Sequence, residues 1–211
     1  MNDQYQQDEE DQDMKKLNGA EAMVRMLEAH GVKHIFGLCG DTSLPFYDAL
    51  YGMDHGMTHV LTRDERSAAY MADGYARIAR RPGVCEGPSG GGATYILPGV
   101  VEANESSVPV LAITTDIAST ARGRYTLTEL DQRALFRPLT KWNGVLDRAD
   151  RVPETMRAAF RAMTMEHRSE PLGQHLLTHQ VDRLGEGIGP RLHAVDQKFP
   201  FRHRIRYHDL G

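Results

Sequence analysis

Short apolar runs and helix-period segments take turns along this chain, and that alternation limits the fold more than any other feature. Residues 108–115 read Val-Pro-Val-Leu-Ala-Ile-Thr-Thr, the clearest buried strand in the sequence. Further strands are expected at 32–38, 58–62, 84–86, 139–146 and 174–179. Helices are expected between them. Residues 21–29 place Ala22, Met23, Met26 and Leu27 at helical spacing, with Gly31 set to end the helix. Residues 43–51 follow, with Thr42 or Ser43 as cap and Pro45 in the first turn. Residues 66–79 form another helix, broken by Arg80-Arg81-Pro82-Gly83. A glycine-rich turn then leads into a helix reaching about Asn104, and 152–165 form the last. Residues 116–131 show no periodicity and read as a loop. Strands alternating with helices predict an α/β fold: three layers, a mostly parallel sheet, helices on both faces.

Length and charge narrow the remaining choices. With 211 residues, the chain can bury one substantial core. A net charge of −4 offers no footprint for nucleic acid or a bilayer surface. No apolar run approaches the roughly 20 residues of a membrane helix. Residues 1–16 hold Asp3, Asp8, Glu9, Glu10, Asp11 and Asp13, which predicts a solvated acidic tail of the wrong charge for a leader peptide. Cys39 and Cys85 are read as buried free thiols of a cytoplasmic protein; a disulfide between them stays open, with no motif behind it. His175 and His179 sit in a strand candidate without nearby ligand partners, so no metal site is expected. Residues 181–211 lose the alternation and end in a basic aromatic stretch, 199–207, read either as a loose tail or as an arm on a partner subunit.

Three segments carry the candidate chemistry. In the first, His59-Val60-Leu61-Thr62 runs into Glu65 and the small-residue helix Ser67-Ala68-Ala69, then Met71-Ala72. A carboxylate there lies where a strand ends and a helix begins, the edge at which parallel α/β sheets bind ligands. Taken alone, such a Glu is more often a surface residue complementing the helix dipole. Ala68, Ala69 and Ala72 let another helix approach closely, which puts Glu65 beside an interface. The second segment is Gly87-Pro88-Ser89-Gly90-Gly91-Gly92-Ala93-Thr94, a strand-to-helix turn whose backbone can approach a ligand. It lacks the Lys-Ser/Thr of a P-loop. The third is Phe36-Gly37-Leu38-Cys39-Gly40-Asp41, where Asp41 reads equally as a turn residue, a helix cap or a functional acid.

Together these segments resemble the pyrimidine-binding domain of thiamine diphosphate enzymes of the acetolactate synthase and pyruvate decarboxylase group, over roughly residues 17–180. The resemblance implies that Glu65 activates the cofactor by hydrogen-bonding its pyrimidine ring nitrogen. It implies that Ser89, Gly90, Gly91 and Thr94 bind the cofactor. Asp41 falls where decarboxylases of the group carry a catalytic Asp, and Cys39, Gly40 and Thr128 fall on the substrate pocket. Departures accompany the match. Cys39 and Gly91 stand where the family commonly has Pro, Tyr95 where it has Asn. Aligned back from Arg137-Pro138-Leu139-Thr140-Lys141, Thr128 takes the place of an active-site Gln, which argues against plain acetolactate synthase activity.

The family's diphosphate-binding domain, with its Gly-Asp-Gly, has no counterpart in this sequence. The expectation is therefore a pyrimidine-domain subunit of a split enzyme acting on 2-oxo acids by decarboxylation or carboligation. Thiamine diphosphate would be shared with a diphosphate-binding-domain subunit that holds Mg2+, in an assembly of two plus two chains. Two readings compete: a non-catalytic interaction or regulatory protein that kept the fold, and a fragment of a longer enzyme. Residues 181–211 do not resemble a linker to a middle domain, which favours a natural short subunit.

Overall fold

The computed structural model describes residues 17–164 and 190–194. The expected acidic tail, the strand at 174–179 with its two histidines, and the arm at 199–207 lie outside them. Helix α1 (Gly19–Ala29) starts on a capping box: Asn18 Oδ1 accepts from the Glu21 N–H at 2.9 Å, and the Glu21 carboxylate accepts from the Asn18 N–H at 2.8 Å. It stops at Gly31, whose φ of +74° suits a residue without a side chain. Strand β1 (His34–Gly37) leads through a 3₁₀ turn (Asp41–Ser43) into α2 (Leu44–Gly52). Neither expected cap serves α2. Ser43 Oγ turns back onto Gly40, and Thr42 Oγ1 bonds Thr115 and Ser89 instead. Then come β2 (Thr58–Leu61), α3 (Glu65–Ala79), β3 (Gly83–Gly87), α4 (Gly91–Tyr95), α5 (Leu97–Glu105) and β4 (Val110–Thr115). Helix α6 (Gln132–Phe136), β5 (Trp142–Val145), α7 (Val152–Thr164) and β6 (Pro190–Ala194) complete the order.

The sheet runs β2-β1-β3-β4-β6-β5. The first four strands are mutually parallel, and β6 pairs antiparallel with both β4 and β5. Side chains alternate across it. Ile35, Val84, Leu111 and Ile113 pack on α1, α2 and α7; Phe36, Cys85, Val110 and Ala112 pack on α3 and α5. The three-layer α/β expectation holds. Strand β6 lies inside the segment expected as an arm, so a domain boundary at 180 separates it from the sheet it pairs with.

The connection order creates a crevice. From β1 the chain passes through α2 to β2 on one side. It then returns through α3 to β3 on the other side of β1. The carboxyl ends of β1 and β3 thus flank a topological switch point, where open α/β sheets bind ligands.

The alanines of α3 find their helix within the chain. Ala68, Ala69, Ala72 and Ala76 are buried against α5, and a methyl group on Gly99 would lie 2.6 Å from Ala69 Cβ. The expectation that Ala68, Ala69 and Ala72 mark an interface is corrected: close α3–α5 packing within the domain uses them. Both cysteines are free, but only Cys85 is buried; Cys39 sits exposed in the loop after β1.

Candidate active site

Glu65 is the first residue of α3. The helix start is held without it: Asp64 Oδ1 accepts from the Arg66 backbone N–H at 2.8 Å, and the Arg66 guanidinium grips the same carboxylate. Among the described residues no hydrogen bond engages the Glu65 carboxylate, which is partly exposed. It faces the glycine-rich turn: a methyl group on Gly92 would lie 3.2 Å from Glu65 Oε1 and collide with the Pro88 ring. Gly92 is therefore a position where a side chain would fill the space beside the carboxylate.

Loops from three strand ends meet there. After β3, the Ser89 N–H donates to Thr42 Oγ1 at 2.9 Å, tying the turn to the loop after β1. Ser89 Oγ lies 2.7 Å from Thr128 Oγ1, tying it to the loop after β4. Gly90 adopts a φ of +67°, and a methyl group on it would lie 2.8 Å from Thr128 Cβ. Gly40 abuts Pro88, where a methyl group would come within 2.6 Å of the ring. Gln132 Nε2 donates to the Thr115 carbonyl at 2.7 Å and fixes the exit of β4.

Of the residues expected at a site, Gly40, Ser89, Gly90 and Thr128 join through these contacts, and Glu65 stands beside Gly92. Asp41 is exposed at the start of the 3₁₀ turn. The thiol of exposed Cys39 is pushed up from its ordinary value, chiefly by partial desolvation. The Thr94 hydroxyl donates to the Gly91 carbonyl at 2.7 Å within its own helix, which leaves Gly91 and the backbone as the contacts that turn can offer.

The sequence reading took Thr42 for a helix cap and passed over Thr115 and Pro88, which with it build the walls, and over a cluster of buried Glu86 with half-buried Tyr47 and His59. Glu86 is fully buried in β3. A carboxylate inside Val-Cys-Glu-Gly, a run with no other polar side chain, was the visible mark of it.

A carboxylate at a strand end, a glycine turn at the switch point and three loops tied by hydroxyls come together at the carboxyl edge of the sheet. Residues 17–135 match the family of the thiamine pyrophosphate enzyme N-terminal TPP binding domain, and the chain belongs to that family. It is 45% identical over 148 residues to a probable acetolactate synthase large subunit of Methanocaldococcus jannaschii, covering 70% of this chain and 25% of that protein. It is 37% identical over 147 residues to the acetolactate synthase large subunit of Haemophilus influenzae, covering 70% and 26%. Against the acetolactate synthase isozyme 2 large subunit of Escherichia coli it is 39% identical over 144 residues, covering 68% and 26%. The chain spans about a quarter of the length of the curated relatives it matches.

Among the described residues no helix is long and apolar enough to cross a membrane, and no group of three His, Cys, Asp or Glu is arranged to hold a metal ion. The residues fit the pyrimidine end of thiamine diphosphate: an unengaged carboxylate beside a side-chain-free position. They offer no Gly-Asp-Gly for the diphosphate end.

Proposed function

We propose that this chain supplies the pyrimidine-binding half of a thiamine diphosphate site shared with a second polypeptide. The assembled enzyme acts on 2-oxo acids by decarboxylation, carboligation or both. The observation that carries this reading is the Glu65 carboxylate, unengaged by the described residues and facing Gly92 at the switch point. Bound thiamine diphosphate supplies the electron sink for cleaving the carbon–carbon bond of a 2-oxo acid. Glu65 shares a proton with the pyrimidine ring nitrogen. Ser89, Gly90 and Gly91 offer backbone to the ring edge. Asp41, exposed at the mouth, handles a proton on the substrate side, while Cys39, Gly40 and Thr128 wall the substrate. The bond from Thr128 to Ser89 makes that wall differ from one carrying Gln.

A diphosphate-domain subunit holds Mg2+, and two copies of each chain give the simplest closed assembly. Support for a partner comes from the outer side of α3 and its surroundings, where Leu61, Tyr70, Met71, Ile78 and Tyr95 are exposed apolar groups. Free cysteines suit a cytoplasmic setting. Mixed with a diphosphate-domain protein carrying Gly-Asp-Gly and a distal Asn pair, the chain should release CO2 from a panel of 2-oxo acids. Release by the chain alone would contradict a shared site.

A further inference from the structure

Thr42 is half-buried just ahead of α2 but does not cap it. Its hydroxyl oxygen joins three strand ends instead. It accepts from the Ser89 N–H at 2.9 Å and lies 2.8 Å from Thr115 Oγ1. Thr115 is the buried last residue of β4, and Gln132 Nε2 donates to its carbonyl. On the other side, Ser43 Oγ accepts from the Gly40 N–H at 2.9 Å and donates to the Gly40 carbonyl at 3.0 Å, which braces residues 40–43 from within. Thr42 is therefore fixed by groups that are themselves fixed.

The segment it holds has little of its own to hold it. Ser89 is followed by Gly90, Gly91 and Gly92, three residues with wide backbone freedom. The Pro88 ring fits between Gly40 and Gly92, and a methyl group on either would collide with it. Such packing limits how near the turn comes but has no direction; a hydrogen bond has one. The second polar tie, from Ser89 Oγ to Thr128 Oγ1, leads to a loop outside the helices and strands. Thr128 has a φ of +72° there, which strains a β-branched residue. Of the two ties, only the one through Thr42 reaches the sheet.

We propose that Thr42 is a positioning residue of the candidate site: its hydroxyl pins the glycine-rich turn to the sheet edge and so keeps Gly92, the side-chain-free position, opposite Glu65.

Ser89 is buried, so its N–H has no ready access to water once the Thr42 hydroxyl is gone. A buried donor without a partner shifts a two-state balance by about tenfold or more. The turn relieves that cost by moving until the N–H finds a new acceptor, and the three glycines let it move. Only the fraction still in place presents Gly92 to Glu65, and the apparent affinity for a ligand falls by that fraction. The effect on affinity rests on the cofactor reading above; the position of the turn does not.

The full chain is compared by NMR, without cofactor, as wild type, Thr42→Val and Thr42→Ser. Val keeps the branched shape and loses the hydroxyl; Ser keeps the hydroxyl. In Thr42→Val, hydrogen exchange at the Ser89 amide should speed up by about tenfold or more while amides inside β3 and β4 keep their rates. The nuclear Overhauser contact between the Gly92 α-protons and the Glu65 side chain should weaken. Thr42→Ser should restore both. In the assembled enzyme, Thr42→Val should raise the thiamine diphosphate concentration for half-maximal CO2 release by about tenfold and leave kcat at saturation unchanged, a split that a general loss of stability does not produce. If Thr42→Val does not fold, Thr42→Ala removes the same hydroxyl and gives the same readings. Ser89 exchange or a Glu65–Gly92 contact unchanged by loss of the hydroxyl overturns the proposal, and so does an unchanged half-maximal concentration. A wild-type assembly that uses no cofactor, with the NMR results as expected, sinks the shared-site reading and leaves the Thr42 clamp standing.

Discussion

Glu65→Gln should leave the fold and assembly intact while lowering turnover of the assembled enzyme by about 10²–10⁴-fold, the usual effect of losing one positioned acid–base group. The structure explains why the fold survives. The α3 start is capped by Asp64 and Arg66, not by Glu65. What Glu65 adds there is a favourable charge near the helix N-terminus, worth about 0.3–1 kcal/mol. Gln fills nearly the same volume and still forms hydrogen bonds, but it cannot exchange a proton at the same atom. Circular dichroism and light scattering check fold and assembly, and CO2 release checks turnover. Full activity in the intact complex would make Glu65 an ordinary helix-start residue.

Gly83→Val should cost stability at the upper end of the roughly 1–3 kcal/mol typical of overpacking, or beyond it. Gly83 opens β3 where α3 lies directly on the strand. A methyl group there would overlap the Ala72 carbonyl oxygen and lie 2.7 Å from its carbon, so backbone rather than a flexible side chain must move. Moving α3 also moves Glu65 at its head. Gly74 in the same helix is the internal control, because a methyl group there meets nothing within 4 Å. Gly74→Ala should therefore raise stability by up to about 1 kcal/mol. Urea unfolding of the full chain reads both. A Gly83→Val midpoint equal to wild type would mean that α3 does not lie on β3 as described.

The parallel core of this fold was legible because its strands are buried on both faces and its helices carry clear ends. Residues 110–115 are buried without exception, and the expected run at 108–115 reflects that. Glu65 was legible for a local reason: an apolar run, a cap and a small-residue helix occur in immediate succession. Four things were not. The alanines of α3 look alike whether they meet a partner chain or α5, since close approach requires small residues in both cases. Hydroxyls such as Thr42 and Ser43 read as helix caps, yet long-range bonds to Ser89 and Thr115 claim Thr42. Glu86 makes sense only once Gly37 is seen across the ladder with Tyr47 above it, a juxtaposition of residues far apart in sequence. Thr128 was placed at the pocket by alignment alone, and its bond to Ser89 could not be read from spacing.

The shared-site account is tested most directly by titration calorimetry with thiamine diphosphate and Mg2+. The chain by itself should give no measurable binding heat, and an equimolar mixture with its diphosphate-domain partner should give saturable binding that Glu65→Gln weakens. Micromolar binding to the chain alone would contradict the account.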